Sequence, residues 1–219
     1  MKQLNTALAF ASAAFASLAG LPALTLLATP SYAGSAVEVS ETSPQDMIND
    51  VSTRLFAALD SNRAAIRKNP EAINPLIDQI LLPHFDAEYA TQLVLARHWT
   101  EASAEQRQHF IAAFHSALLR TYGGALTNVT ADRMRVLPYR GAADAEQATV
   151  HTEVTRDSGS VVHVDYRLRK TAEGWKAFDV IIEGISYVRS YRTDLDSEIA
   201  AKGLDAVIAR VEKQTLSAS

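Results

Sequence analysis

The sequence contains no cysteine among its 219 residues. This absence excludes a disulfide framework, a thiol redox centre and a thiolate metal site. No phosphate-binding loop, dinucleotide fingerprint or paired-carboxylate motif occurs, so neither a nucleotide nor a cofactor is predicted. Stability must come from an apolar core. No metal site is predicted either, because metal-ligand spacing is lacking among the histidines His84, His98, His109, His115, His151 and His163.

Acidic residues are missing from residues 1–33, which open with Lys2, continue as an Ala- and Leu-rich run and end in Ser31-Tyr32-Ala33. This pattern is typical of a secretory signal peptide with a small-x-small cleavage site. The run from Ala7 to Ala28 is long enough to be a retained membrane anchor, but its flanking prolines and the cleavage pattern favour removal. We therefore expect a soluble mature protein outside the cytoplasm, in a bacterial periplasm.

The formal net charge is −4, and removal of the leader with Lys2 makes it more negative. An acidic protein is not attracted to nucleic acid or to anionic membranes, and no later segment has the length of a membrane span. The composition is even from residue 44 to residue 211, which is long enough for one domain with its own core. We predict a single domain over 44–211, a flexible segment over 34–43 and a tail over 212–219.

The first half of this domain has helical periodicity. Ser43-Pro44 predicts the start of a helix that ends near Asn62, and Pro70 and Pro83 bracket a second helix. Asp86 can cap a short third helix. A fourth helix is predicted by a capping box of Ser103 with Gln106, and Gly123-Gly124 indicates where it ends.

The second half contains strand patterns separated by turns. The turn-prone stretches at residues 157–159 and 173–174 predict hairpins, and hence an antiparallel sheet. Two helices, over about 185–201 and 204–211, follow the sheet, so the order of elements predicts an α+β fold. The predicted strands are Arg133–Pro138, Gln147–Thr155, Ser160–Lys170 and Trp175–Glu183.

Residues 175–191 form the most apolar part of this half. Phe178, Val180 and Ile182 alternate at strand spacing, whereas Ile185 and Val188 recur at helical spacing. In the third strand the even positions from Val162 to Leu168 are apolar and the odd positions are polar, so the polar face should be exposed to solvent. The apolar residues could form a packed core or line a ligand cavity.

An enzyme would need an acid–base pair, and the available groups are Asp165, Asp179, Glu183 and a histidine such as His151 or His163. Strand alternation predicts that Asp165, His163 and Asp179 point to water. Glu183 has apolar neighbours that would desolvate it, which leaves a structural ion pair or a base or headgroup contact as alternatives. The cations that could compensate its charge are Arg97, Arg120 and Arg189. Ser186 is interpreted as a helix-start residue.

Several segments, in the same order along the chain, carry a family resemblance. They are LLPHFD (81–86), LVLARHW (93–99), AEQRQHF with AFHSALLRTYGGAL (104–126), YRLRK (166–170), GWKAFDVIIEGISYVRSYR (174–192) and KGLDAVIARV (202–211). Over about residues 44–211 the chain resembles the toluene-tolerance family of periplasmic phospholipid carriers. The resemblance implies helices packed on a curved four-stranded antiparallel sheet of the nuclear-transport-factor-2 type, which enclose an apolar cavity for the tails of a diacyl phospholipid.

The resemblance also implies partners and site residues. The implied partners are an inner-membrane ABC-transporter complex with its substrate-binding ring protein and an outer-membrane lipoprotein–porin complex. No catalytic residue is implied, and Arg169, Arg189 and Arg192 are candidate docking residues. The resemblance places Tyr122, Phe178, Val180, Ile182, Glu183, Gly184 and Val188 near the cavity. Periodicity adds Phe110, Phe114, Leu118, Val164, Tyr166 and Leu168.

Two alternatives to a carrier remain at this point. A periplasmic enzyme of the same fold could act on a small apolar substrate, and would need a pocket acid placed against a reacting atom. An adaptor protein with a filled core would hold no lipid at all.

Overall fold

The structure is a computed structural model that describes residues 43–126, 129–142 and 144–213. The predicted signal peptide and most of the two predicted flanking segments lie outside the described residues. The described residues belong to one compact unit. Within these ranges no helix has the length and hydropathy needed to cross a membrane.

The first helix, α1 (Pro44–Lys68), begins where the sequence predicts. The Ser43 hydroxyl accepts a hydrogen bond from the Asp46 amide at 3.1 Å, which satisfies one of the free donors at the helix start. The predicted end near Asn62 is wrong, because the buried side of the helix continues about one turn further to Ile66.

The predicted single helix between Pro70 and Pro83 is broken into shorter pieces. A 3₁₀ turn (Pro70–Ile73) leads into α2 (Asn74–Ile80), and a second 3₁₀ turn (Leu82–His84) follows. Pro75 explains the break, because proline lacks the amide proton that a helix interior needs and fits the first turn of a new helix.

The next three helices are α3 (Ala87–Leu95), α4 (Arg97–Glu101) and α5 (Ala104–Leu126), and side-chain caps fix the start of α3 and of α5. Asp86 accepts from the Tyr89 amide at 3.0 Å, and Ser103 and Gln106 bond each other's amides at 3.1 and 3.0 Å, so both predicted caps are confirmed. The prediction that α5 ends at Gly123-Gly124 is wrong. A glycine inside a helix costs only about 1 kcal/mol, and Gly123 is buried beside Ile73.

The sheet is antiparallel throughout, with its strands in the order of the sequence. All four predicted strands are confirmed, and a fifth, β5, adds two residues where the start of a helix was predicted. The strands are β1 (Met134–Val136), β2 (Gln147–Thr155), β3 (Val161–Thr171), β4 (Gly174–Ile182) and β5 (Ile185–Ser186).

The turn between β4 and β5 consists of Glu183 and Gly184. Both have positive φ, at 50° and 80°, as a two-residue hairpin turn of mirror-image type requires. The chain then enters α6 (Tyr187–Lys202) and, after Gly203, α7 (Leu204–Lys213). Glu183 is therefore a turn residue rather than a link between a strand and a helix.

A β-bulge in β4 changes which residues share a face. Leu168 lies opposite Ala177 and Arg167 opposite Asp179, so Phe178 is the extra residue. Its ring packs edge-on against Tyr89, with centroids 5.1 Å apart, and under the Arg167 guanidinium at 4.8 Å. The prediction that Phe178 shares a face with Val180 and Ile182 is therefore wrong.

The buried side chains form three separate apolar clusters. The helical cluster contains residues of every helix from α3 through α7, including Phe110, Tyr191 and Leu195. The sheet cluster packs α1 against β2, β3 and β4. The third cluster packs α1 against the 70–80 segment, and it shares half-buried residues with the sheet cluster but none with the helical cluster.

Gly184→Ala should lower the free energy of unfolding by about 1 kcal/mol, because a side chain disfavours the left-handed backbone that the turn requires. A Cβ at Gly184 would meet no atom within 4 Å, so the effect isolates the backbone. Gly124→Ala is the matched control, since it also meets nothing within 4 Å but lies in α5. It should raise stability by roughly 0.5 kcal/mol or more. Urea unfolding curves would measure both changes, and equal signs would contradict the assignment of the turn.

Candidate functional site

The inner face of the sheet is covered by α1 at one end. Cross-strand pairing puts Val150, Leu168 and Ala177 on this face, and they pack against α1 in the sheet cluster. The same face continues along β3 and β4. There Tyr166 lies opposite Val180, and Val164 lies opposite Ile182, and all four side chains are half-buried.

Half-buried apolar residues also lie on the helices. Leu118 and Tyr122 of α5 and Tyr187 and Val188 of α6 lie at the edge of the helical cluster. The main contacts between helices and sheet are made by α1, α3 and α6, whereas α5 packs chiefly on α7 and α3. We use the term apolar wall for a set of half-buried residues, namely Leu118, Tyr122, Val164, Tyr166, Val180, Ile182 and Val188.

Tyr166 shows that part of this wall lies deep in the protein. Burial raises the pKa of Tyr166 to about 12, which means that its hydroxyl is surrounded by protein rather than by bulk water. The side chain nevertheless keeps accessible surface. Tyr166 packs against the sheet cluster, so this part of the wall borders the packed core.

Other predicted site residues lie in packed regions. Phe110 and Phe114 are buried, and their stacked rings, 5.5 Å apart, belong to the helical cluster. Leu168 is fully buried under α1. Phe178 contacts α3 on the opposite face, as described above. The sequence pattern could not separate these four residues from the apolar wall, because core and cavity walls use the same residue types.

Glu183 does not have the environment that the sequence predicts. Its side chain is 52% exposed, and its Oε1 accepts a hydrogen bond from the His163 amide at 2.6 Å. Gly184 beside it is also exposed. The predicted arginine pairing is absent in the described residues, where Arg97 pairs with Asp196 at 3.0 Å and Arg120 donates to the Val211 carbonyl. The exposed turn removes the need for a compensating cation.

Asp179 is an acid whose burial the sequence did not predict. It is 1% exposed rather than directed to water, because α6 covers the face of the sheet on which Asp179 lies opposite Arg167. Its carboxylate accepts from the Ser186 hydroxyl at 2.6 Å and the Val188 amide at 3.1 Å, and it lies 3.7 Å from Arg167. Ser186 is confirmed as a helix-start residue, since its hydroxyl also accepts from the Arg189 amide.

The remaining titratable candidates are on the other face of the sheet. Asp165 pairs with His151 at 2.9 Å, and His163 is exposed as predicted. This face is not entirely exposed to solvent, because α3 and α6 cover β4. Among the proposed docking arginines, Arg189 and Arg192 are exposed, but Arg169 is held by Asp86 at 2.6 Å.

Three tyrosines form a polar group at the edge of the helical cluster. The hydroxyls of Tyr122 and Tyr191 are 2.5 Å apart, and the ring of Tyr187 packs edge-on against both, at 5.2 and 6.1 Å. Burial raises the pKa values of Tyr122 and Tyr191, so both hydroxyls stay protonated at neutral pH. The sequence predicted Tyr122 as a site residue but missed its two partners.

Comparison of structures places the chain in a class of α+β proteins that includes a lipid-bound member. A solved structure described as the phospholipid-binding protein from Ralstonia solanacearum in complex with a phospholipid has a TM-score of 0.72 and 29% sequence identity to this chain. The similarity covers 77% of this chain and 94% of that one. The predicted fold class is thus confirmed.

Comparison of sequences identifies the family within that class. The profile of the family described as MlaC protein matches residues 49–213, and the chain belongs to this family. The intermembrane phospholipid transport system binding protein MlaC of Haemophilus influenzae is 22% identical over 80% of this chain and 83% of its own. The toluene tolerance protein ttg2D of Pseudomonas putida is 29% identical over 76% and 78%. The resemblance seen in the sequence is confirmed.

Asp179→Ala should lower the free energy of unfolding by about 2 to 4 kcal/mol, because it leaves the start of α6 without its acceptor and Arg167 without its partner. Asp165→Ala is the matched control on the neighbouring strand. Its ion pair with the 58% exposed His151 should contribute less than about 1 kcal/mol. Chemical unfolding would measure both values, and similar losses would contradict the structural role of Asp179.

Tyr166→Phe should reduce the loss of unfolding free energy that occurs as the pH rises above 10. The pKa of Tyr166 is about 12 in the folded protein against an ordinary value of 10.0, so the unfolded chain loses this proton first as the pH rises. Its contribution is complete below pH 10 and disappears by about pH 12. The slope of unfolding free energy against pH in this window should be shallower in the variant, and superimposable curves would show that the tyrosine is not buried.

Proposed function

We propose that this protein carries phospholipid in the periplasm and holds the acyl tails against the apolar wall. The observation that carries the proposal is the apolar wall, whose side chains keep accessible surface although they adjoin the packed clusters. The proposal is supported by the family, by relatives whose names describe phospholipid transport and toluene tolerance, and by a similar protein solved with a phospholipid bound.

Burial of hydrocarbon supplies the driving force for such binding. Two acyl chains bring on the order of 30 methylenes, and at about 0.8 kcal/mol each their transfer from water contributes about 25 kcal/mol before any cost. Ordering of the chains and opening of the protein reduce this value, and measured affinities do not exceed about 18 to 21 kcal/mol. The net affinity is high, so release into water is slow.

Slow release requires partners that lower the barrier to unloading. The partners that fit are an inner-membrane ABC-transporter complex with its ring protein and an outer-membrane lipoprotein–porin complex, in line with the transport system named for the relative. A partner unloads the carrier only if it binds the open form more tightly than the closed form. The exposed Arg189 and Arg192 are candidate contacts for such a partner.

The proposed activity is binding and transfer without a catalytic step. The buried acid nearest the apolar wall, Asp179, is already engaged by Ser186, Val188 and Arg167. Glu183 is exposed in a turn and bonded to a backbone amide. No observation on the described residues favours the enzyme alternative.

The first experiment is native mass spectrometry of protein purified from its periplasm without detergent, followed by extraction and identification of bound lipid. A stoichiometric diacyl phospholipid is expected. Protein that arrives empty, and that takes up no phospholipid from added vesicles, would overturn the proposal and favour an adaptor with a filled core.

Val164→Glu should reduce the amount of copurified phospholipid several-fold, because a carboxylate on the apolar wall must be desolvated against the tails. Val161→Glu is the control, since it puts the same residue on the same strand at a position that is 47% exposed. Lipid phosphorus per protein measures the effect, and circular dichroism checks the fold of both variants. Equal lipid content in the two variants would rule out Val164 as a tail contact.

A further inference from the structure

The tyrosine cluster of Tyr122, Tyr187 and Tyr191 has hydrogen-bonding capacity that the protein does not use. A tyrosine hydroxyl can donate one hydrogen bond and can also accept. The bond between Tyr122 and Tyr191 consumes one proton, so whichever hydroxyl accepts that bond retains a proton of its own. A side-chain hydrogen bond with Tyr187 also affects the pKa of Tyr122, so at most two of the three hydroxyl protons are used within the cluster.

The cluster adjoins the part of the apolar wall that lies on α5 and α6. Tyr122 is one helical turn from Leu118 on α5, and Tyr187 immediately precedes Val188 on α6, so both tyrosines adjoin residues of the apolar wall. Tyr191 is 2% exposed and anchors the pair from within the helical cluster. Tyr122 and Tyr187 are half-buried, which leaves them accessible to a ligand.

A negative charge beside the cluster constrains which acceptor fits. Asp194 lies one turn beyond Tyr191, and its Oδ2 is buried with no hydrogen-bond partner in the described residues. Its charge is also one of the smaller causes, after burial and the bond to Tyr122, that raise the pKa of Tyr191. An anionic phosphate would be repelled here, whereas a neutral carbonyl oxygen would not.

We propose that the tyrosine cluster binds an ester carbonyl of the diacyl lipid and so fixes how deeply its tails enter the protein. This inference rests on the proposed function and adds a determinant of specificity to it. Ester carbonyls are the neutral acceptors joined directly to the tails, so an ester carbonyl reaches the cluster when the tails lie on the adjoining apolar wall. The cluster then selects diacyl lipids over lipids whose chains are joined by ether links, which lack the carbonyl.

The test is a competition between two phosphatidylethanolamines of equal chain length, one with ester-linked and one with ether-linked chains, offered together in mixed vesicles. Native mass spectrometry reads the ratio bound to the full mature protein. The wild type should prefer the ester lipid by about 2- to 12-fold, the range expected for one neutral hydrogen bond. Tyr122→Phe, which keeps the ring and removes the hydroxyl, should bring the ratio close to one while total lipid remains bound.

Tyr187→Phe provides a second variant, and Tyr89→Phe is the matched control. Tyr89 is also a half-buried tyrosine packed edge-on against an aromatic ring, but it contacts Phe178 on the opposite face of the sheet. Its variant should keep the preference of the wild type.

Each other outcome overturns the inference in a recognisable way. If the wild type binds both lipids equally and Tyr122→Phe weakens both equally, the cluster contacts the phosphate, which the two lipids share. If the wild type prefers the ester lipid and neither Tyr122→Phe nor Tyr187→Phe changes the ratio, another group binds the carbonyl. This outcome overturns the inference but leaves the proposed carrier function unaffected. A wild type that takes up neither lipid overturns the proposed function and this inference together.

Discussion

The buried carboxylate of Asp179 is the constraint on which the helical half of the site depends. It accepts hydrogen bonds from Ser186 and from the Val188 amide, so the last long strand and the start of α6 are fixed to each other directly. Everything that α6 contributes, from Val188 to Tyr191 and Leu195, takes its position from that connection.

The division of the core into separate clusters gives the fold its capacity for a ligand. The helical cluster shares no half-buried residue with the sheet cluster, and each cluster has half-buried side chains at its edge. An acyl chain supplies the same kind of contact that a buried leucine would supply, so the cargo can be regarded as a missing part of the core.

Local signals in the sequence predicted most of the fold. Caps such as Ser103 with Gln106 depend on residues three apart and are readable without tertiary information. The bulge is different, because one extra residue reverses the alternation from which the face of Phe178 was deduced. Asp179 lies on the predicted face, opposite Arg167, but it is buried because α6 covers that face. Periodicity also could not separate Phe110, in the packed core, from Leu118, at its edge, since both lie on the inner side of α5.

Under the proposed function, the lifetime of the carrier also depends on whether lipid is bound. A ligand that binds only the folded state stabilises it by mass action, so the loaded protein opens less often than the empty one. Proteases act on opened chains, and under the proposed function degradation would fall mainly on carriers that have lost their cargo. The abundance of the protein would then follow the supply of lipid to the periplasm without a dedicated regulator.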